Sequence, residues 1–596
     1  VLKPPDESNA GADYAQPVID LLANLDPEQR AVATAIEGPV IVLAGAGTGK
    51  TRAITHRIAY AVSTGAHQAE ATMAVTFTVR AANEMKSRLQ KLGVNGVQVR
   101  TLHASAYQLV QHFWPEVIGG ASPKICDDPD ALLTRAMQKH GLNAERALIR
   151  DFATEISWTK AMRISLDDYG KRANERNLSA QLSTDQISLV MQSYDQLLAS
   201  NHECDLSDIV LLAAAMMEDQ PRIAASFTNR YQHFTVDEYQ DISPSQQHLL
   251  NQWWSDRDSI CVVGDPGQAI YGFAGANSSF LSELQNRFTN ATIAKLTRTY
   301  RCAPAIVHVA NSFTEIPTVS QRELTGEVEV ISSSDAKSEA TAVANWVSTK
   351  VASGFALNQI AVLTRLNAQL PTIDMALNEI GLSTNLNQQR GGIDLMTIHS
   401  AKGLEWQAVA IAGVNDQLLP YQPFNVPLSE SQYAEERRLF YVGLTRAADS
   451  LLLSFSHDRG ASEFLAEINS DANHDSITVN SSVTKPKVSP EKSKKLQVAS
   501  CRFCQRGLVT PAEIAAVRCE DCAPWVSPAM LEKLMSWRLA QANQEQIAPF
   551  LIFTDVTLKA IAEVGDLNEA FLIGIAGLTE SKVSKYQADF AELLAK

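Results

Sequence analysis

The stretch Val40-Ile-Val-Leu-Ala-Gly-Ala-Gly-Thr-Gly-Lys-Thr51 constrains this chain more than any other, because an apolar strand, a glycine-rich turn and a helix start follow one another within it. Val40 to Leu43 have the unbroken apolar character of a strand buried on both faces, and Ile54, Ile58 and Val62 return at helical spacing. Gly45, Gly47 and Gly49 free the backbone between them, so that the N–H groups along Gly45, Ala46, Gly47, Thr48 and Gly49 can turn inward. The helix that follows adds the positive end of its dipole. In such a phosphate cradle Lys50 reaches the β- and γ-phosphates of a nucleotide, the Thr51 hydroxyl ligates magnesium, and Arg52 borders the site. Ala44 stands where the strict G-x-x-x-x-G-K-[ST] pattern has its first glycine. A cradle of this kind names no function by itself.

At ~100–200 residues per domain, 596 residues with 45% hydrophobic content can build about three to five cores. A net charge of −15 argues against a chain wrapped in nucleic acid by bulk charge, but not against a local basic groove. No run approaches the ~20 apolar residues that span a bilayer, and no leader pattern precedes the first domain, so no membrane partner and a cytoplasmic location are expected. Val1 in place of Met suggests a processed or trimmed start. Of eight cysteines, Cys126, Cys204, Cys261 and Cys302 are scattered and read as small buried hydrophobes.

In Leu25-Asp-Pro-Glu-Gln, Asp26 reads as an N-cap and Pro27 as the first helical residue, which puts Gln29 in the first turn. Short strands at Met73–Phe77 and Val97–Thr101 leave Phe77, Arg80 and His103 at strand ends, where open α/β sheets face a ligand. Residues 106–204 lack strand alternation and read as a helical insertion. The α/β pattern resumes at Phe234-Thr-Val-Asp-Glu-Tyr-Gln-Asp241, a strand ending in paired carboxylates. There Asp237 can hold magnesium and Glu238 can polarise an attacking water. The strand ahead of Asp265 and Gln268 runs on into Tyr271 and Phe273; a Gln there can sense a γ-phosphate and an aromatic can stack on a base.

A second strand-and-helix set from about residue 290 has no phosphate cradle, but presents Arg301, Arg365 and Arg446 in turn contexts suited to an arginine finger. Asn469 to Lys495, with five lysines after Thr484, reads as a flexible linker. Cys501-Arg-Phe-Cys504, fourteen residues, then Cys519-Glu-Asp-Cys522 has the spacing of a tetrahedral zinc site. The final stretch reads as helical, from Ser527-Pro528 with Leu531, Leu534 and Met535 to a stripe of Val583, Tyr586, Phe590 and Leu594.

Together, Gln29, Ala44 to Thr51, Thr76 to Met85, Asp237 to Asp241, Val263 to Ala276, Tyr300-Arg301, Leu395 to Trp406 and Tyr441 to Ala447 resemble, in order, the motifs of superfamily 1 DNA helicases of the UvrD/Rep/PcrA type. Ala44 is normal for that family. The resemblance implies two RecA-like parallel-sheet domains, an α/β class, and a 3′→5′ motor on single-stranded and on tailed or forked duplex DNA. It further implies ATP and Mg2+, with Gln29 on the adenine edge, Tyr300 stacked on adenine, Arg301 and Arg446 on the γ-phosphate and Glu405 near the ribose. Phe77, Tyr271, Phe273 and His399 would meet the strand, with Arg80, His103 and Arg365 nearby. Phe273 stands where tryptophan is usual, Ala274 where arginine follows it, and Val79-Arg80 where Asn-Lys is common.

Gln369 and Asp394 are only 24 residues apart, where such enzymes insert a helical subdomain called 2B. The segments Pro549–Leu558 and Ile575–Tyr586 resemble the HRDC domain, so the layout is similar to an actinobacterial branch with a tetracysteine module and a C-terminal HRDC domain. The expected division is 1–105 and 205–289 as domain 1A, 106–204 as insertion 1B and 290–467 as domain 2A. It continues with 468–500 as linker, 501–524 as zinc module and 525–596 as a helical HRDC-like domain through which repair or replication proteins could bind. A translocase that strips proteins or anneals strands, and a DNA-bound scaffold with an ATP-driven affinity switch, are the alternatives.

Overall fold

Apolar strand runs need cover on both faces, and here they assemble into two six-stranded sheets with every strand pair parallel. The computed structural model describes residues 21–173, 183–387, 391–422, 427–470, 477–480 and 528–545, and single positions beyond them. The first sheet comprises β1 (Val40–Ala44), β2 (Thr72–Thr76), β3 (Gln98–Thr101), β4 (His233–Val236), β5 (Ile260–Gly264) and β6 (Thr292–Leu296), in the order β3-β2-β4-β5-β1-β6. The second comprises β7 (Glu327–Ser333), β8 (Ile360–Thr364), β9 (Asp394–Thr397), β10 (Trp406–Ala412), β11 (Ala447–Ser456) and β12 (Ile477–Asn480), in the order β9-β8-β10-β11-β7-β12.

Two expectations change. β6 lies beyond residue 289 yet belongs to the first sheet: Val40 pairs with Thr292 on one side and with Cys261 on the other, which satisfies both edges of β1. The segment read as a flexible linker supplies β12, which pairs with Val328–Ile331 along the edge of the second sheet. Its alternating Ile477 and Val479 sit in a polar surround that hid them.

Between β3 and β4 the helices Pro129–Lys139, Arg146–Ala161 and Thr184–Asn201 bury Leu133, Met137, Phe152, Val190 and Tyr194 in a core of their own. That core begins later than residue 106, because Ala106, Leu109 and Val110 of the helix Leu102–Val117 pack with Met73 and Val75 of the first sheet. Between β8 and β9 the described residues form one helix, Leu370–Glu379, and a short turn at Asn385–Asn387. Residues 485–596 form a separate compact unit. In it the helix Pro528–Glu545 carries Trp537, which stacks on Phe553 at 6.0 Å and meets Tyr586 edge-on at 5.4 Å, beside buried Leu534. Met535 is exposed. Cys501, Cys504, Cys519 and Cys522 lie outside the described residues, as do Ser527, Val583, Phe590 and Leu594. Among the described residues no group of three metal-ligating side chains occurs, and no helix is long and apolar enough to cross a membrane.

Candidate active site and nucleic-acid interface

β1 delivers the chain into the glycine turn, and helix α2 (Lys50–Ser63) starts from Gly49 in the left-handed region at φ 80°. A Cβ at Gly49 would lie 2.7 Å from Gln29 Nε2, and one at Gly47 (φ 72°) 2.6 Å from Arg301 Cβ, so neither position accepts a side chain. Gln29 sits in helix α1 (Pro27–Thr34), capped by Asp26, whose Oδ1 accepts the Gln29 N–H at 2.8 Å. Its buried amide donates to Thr48 O at 3.0 Å, tying the helix to the turn. Tyr300 N–H donates to Gly47 O at 3.0 Å, and the Tyr300 hydroxyl to Asp26 at 2.7 Å. Gly47 to Arg52, Tyr300, Arg301, Glu405 and Arg446 thus line one cleft of about 720 Å³ between the two sheets. Gly45 and Ala46 do not line it, contrary to the expected inward turn of their N–H groups: the Gly45 N–H donates to Leu296 O at 3.2 Å and the Ala46 N–H to the Tyr441 hydroxyl at 3.2 Å.

β4 ends at Val236 and the paired carboxylates follow. Glu238 takes a left-handed backbone (φ 52°), a costly conformation for a residue with a Cβ, and this turns its side chain into the cleft. Gln240 Nε2 donates to Glu238 at 2.5 Å, and Gln240 Oε1 accepts the Asp265 N–H at 3.0 Å. Burial, followed by the charge of Glu238, pushes the Asp237 carboxyl up. Burial pushes on Glu238 too, but Lys50, Lys402, Gln240 and Arg446 outweigh it and hold that carboxyl down and ionised. Thr51 hydrogen-bonds Asp237, which gathers two hard oxygen donors beside the phosphate turn, the chemistry that suits magnesium. Asp265 is fully buried, 3.9 Å from Lys50 Nζ, and accepts from Gln268 Nε2 at 2.6 Å, so Gln268 is held by a carboxylate beneath it.

The second sheet closes the cleft. Arg301 Nε donates to Glu405 at 2.5 Å, which brings the expected γ-phosphate and ribose residues together. Arg446 is 1% exposed, its guanidinium donating to Val442 O at 2.9 Å and Leu404 O at 3.0 Å; burial and then Arg301 push it down to about 10. Lys402, not singled out from sequence, spans the two sheets: its Nζ donates to both Asp241 oxygens at 2.6 and 2.7 Å and to Gln268 O at 2.6 Å, and sits 4.7 Å from the Tyr271 ring. Burial still pushes Asp241 up to about 6 against this partner. The only sequence sign was its place in the run Leu395 to Trp406.

Around the same turn the aromatics form a row. Phe77 and Tyr271 lie parallel at 6.2 Å, Tyr271 and Phe273 follow at 6.2 Å, and Phe273 meets His399 edge-on at 5.6 Å. Phe77 is 38% and Phe273 48% exposed, a cost that a free surface would not repay. Phe273, His399 and Arg365 border a second cleft of about 470 Å³. Burial, with Arg365 and Lys402, lowers His399 to about 4, so it is neutral at pH 7. Arg365 is bound to Glu436 at 2.7 Å and lies over Tyr421. Two residues sit apart from the row: Arg80 borders the nucleotide cleft, and His103 faces a small cavity beneath Phe77 with Asp237 and Gln246.

A phosphate turn closed by arginines from a second sheet, beside exposed aromatics, defines a nucleotide-driven enzyme of nucleic acids. Comparison with known proteins narrows the class. The UvrD/REP helicase N-terminal domain matches residues 25–289, the UvrD-like helicase C-terminal domain residues 382–458 and the HRDC domain residues 527–594. The ATP-dependent DNA helicase UvrD2 of Mycobacterium tuberculosis is 32% identical, over 96% of this chain and 98% of that protein. A probable DNA helicase of Mycoplasma pneumoniae is 26% identical over 72% of this chain and 83% of its own length. The ATP-dependent DNA helicase PcrA of Staphylococcus epidermidis is 28% identical over 59% of this chain and 49% of its own. The chain belongs to the UvrD-like DNA helicase family. Its alignment with UvrD2 runs over 700 positions against 596 residues here, so that relative carries inserted sequence absent from this chain.

Proposed function

We propose that the chain is an ATP-dependent motor that moves 3′→5′ along single-stranded DNA and opens tailed or forked duplexes. The observation that carries this reading is the shared cleft: phosphate-binding and carboxylate groups come from the first sheet, arginines from the second, and Lys402 joins the cleft to the aromatic row. The direction follows the family. Gln29 and Tyr300 hold the adenine, Glu405 the ribose, and Gly47 to Arg52 the phosphates. Thr51 and Asp237 would hold magnesium, which would supply positive charge beside the phosphates. Glu238, held ionised, takes a proton from the water that attacks the γ-phosphorus, and Gln268 orients that water. Arg301 and Arg446 meet the charge that develops, drawing the sheets together. Phe77, Tyr271, Phe273 and His399 receive bases, with Arg80, His103 and Arg365 around them. Two RecA-like domains (1A and 2A), the helical 1B and the HRDC-like tail are the working division of the chain.

Strand displacement on forked DNA tests this reading, and DNA-stimulated ATP hydrolysis without strand separation would contradict the helicase form. A specific observation favours a second reading, a translocase that displaces proteins with little unwinding: between β8 and β9 the described residues hold one helix and no further subdomain. The scaffold reading requires Lys50→Ala to leave function in cells intact. The four tail cysteines fit structural zinc by spacing, which metal analysis of the purified protein reads directly.

A further inference from the structure

Helix α3 (Glu430–Leu444) belongs to the second sheet, yet its Tyr441 reaches the phosphate turn of the first. The Ala46 N–H donates to the Tyr441 hydroxyl at 3.2 Å, with Ala46 3% and Tyr441 1% exposed. On its other side the ring presses on the turn that carries Gln268, where a Cβ at Gly267 would lie 3.1 Å from Tyr441 Cε1. One side chain therefore touches both halves of the phosphate site without lining the cleft itself. A buried N–H must be paired. Gln29 and Tyr300 hold the turn through the carbonyls of Thr48 and Gly47, and the Tyr441 hydroxyl is the partner of the Ala46 N–H.

We infer that Tyr441 is a positioning residue whose hydroxyl, supplied by the second sheet, sets the conformation of the phosphate turn through the Ala46 N–H. The inference rests on the ATP-site reading above. The contact is to the turn and not to the γ-phosphate, so it acts on ADP and ATP alike. The arginines, by contrast, answer only to the third phosphate.

The test is Tyr441→Phe in the full chain, with equilibrium binding of a fluorescent ADP analogue and of a non-hydrolysable ATP analogue, both with magnesium. The ring and its contact with Gly267 remain, so the fold is kept. Losing one hydrogen bond to a buried N–H is expected to weaken both ligands by about tenfold. The KM for ATP is expected to rise by a similar factor, with kcat within about twofold. Kd is read on the folded fraction, so a purely structural loss would lower the amount of binding-competent protein and leave Kd unmoved. Unchanged Kd for both ligands overturns the inference, as does a loss confined to the ATP analogue. If the wild-type chain binds neither nucleotide, the ATP-site reading itself fails; if it binds both and the variant matches it, only the inference about Tyr441 fails.

Discussion

Glu238 is set by its own backbone: a left-handed residue at a strand end is strained, and the strain points a carboxylate that four polar partners keep ionised at the phosphate turn. Glu238→Gln is therefore expected to bind ATP as the wild type does while hydrolysis falls by about 10²–10⁴-fold, measured by single-turnover kinetics. A loss of ATP affinity with kcat unchanged would assign it to binding. Lys402 makes a different claim. Its partner Asp241 is 3% exposed, so Lys402→Ala strands a buried carboxyl. The expected cost is about 3 kcal/mol in urea unfolding, and Asp241→Asn in the same background should recover most of it. Nothing local announces this pair: its members lie 161 positions apart and meet only because the two sheets do.

At the scale of elements, the turn after β5 places Gln268 and Phe273, the proposed phosphate sensor and base platform, within six residues. Helix α3 holds that turn through Arg438 Nε on Ala269 O at 2.7 Å and Glu435 on the Phe273 N–H at 3.4 Å. Phe273→Ala should weaken single-stranded DNA binding by about 1–3 kcal/mol in fluorescence anisotropy and leave basal ATP hydrolysis near wild type. In the loop after helix α2, His67 stacks on His233 at the start of β4 at 3.6 Å, with Arg57 of α2 close enough to act on it. Burial first, then His233 and Arg57, lowers His67 to about 4 from 6.5. The unfolded chain therefore takes up the proton first, and stability present above about pH 6.5 is lost as pH falls toward 4. Asp241, raised to about 6, slopes the other way, so the comparison is between chains: His67→Phe should flatten the loss between pH 6.5 and 4 in thermal unfolding. The turn from Gln268 to Phe273 was legible in sequence because it is local; the His67–His233 stack was not, because it joins distant segments. β6 and β12 were not, since edge strands with mixed polarity show only what they pair with.

For the whole molecule, much of the nucleotide cleft could be read from contiguous motifs, and the family match supports the order in which they occur. What sequence left out were two joints between sheets, Lys402 and Tyr441, and the Gln240–Asp265 support within the first sheet, because each is a meeting of separate segments with no periodic signature. Residues 485–596 form a compact unit of their own, and every motif assigned to the cleft lies before residue 485. Removing 501–596 is thus expected to leave DNA-stimulated ATP hydrolysis within about twofold and to weaken junction binding, in parallel ATPase and anisotropy assays. The proposed motor has a direction. It is tested most directly by displacement of streptavidin from oligonucleotides biotinylated at one end. Release is expected from the 5′ end, dependent on ATP and abolished by Lys50→Ala, with none from the 3′ end; release from the 3′ end alone, or ATP hydrolysis with no release from either, would rule out 3′→5′ movement.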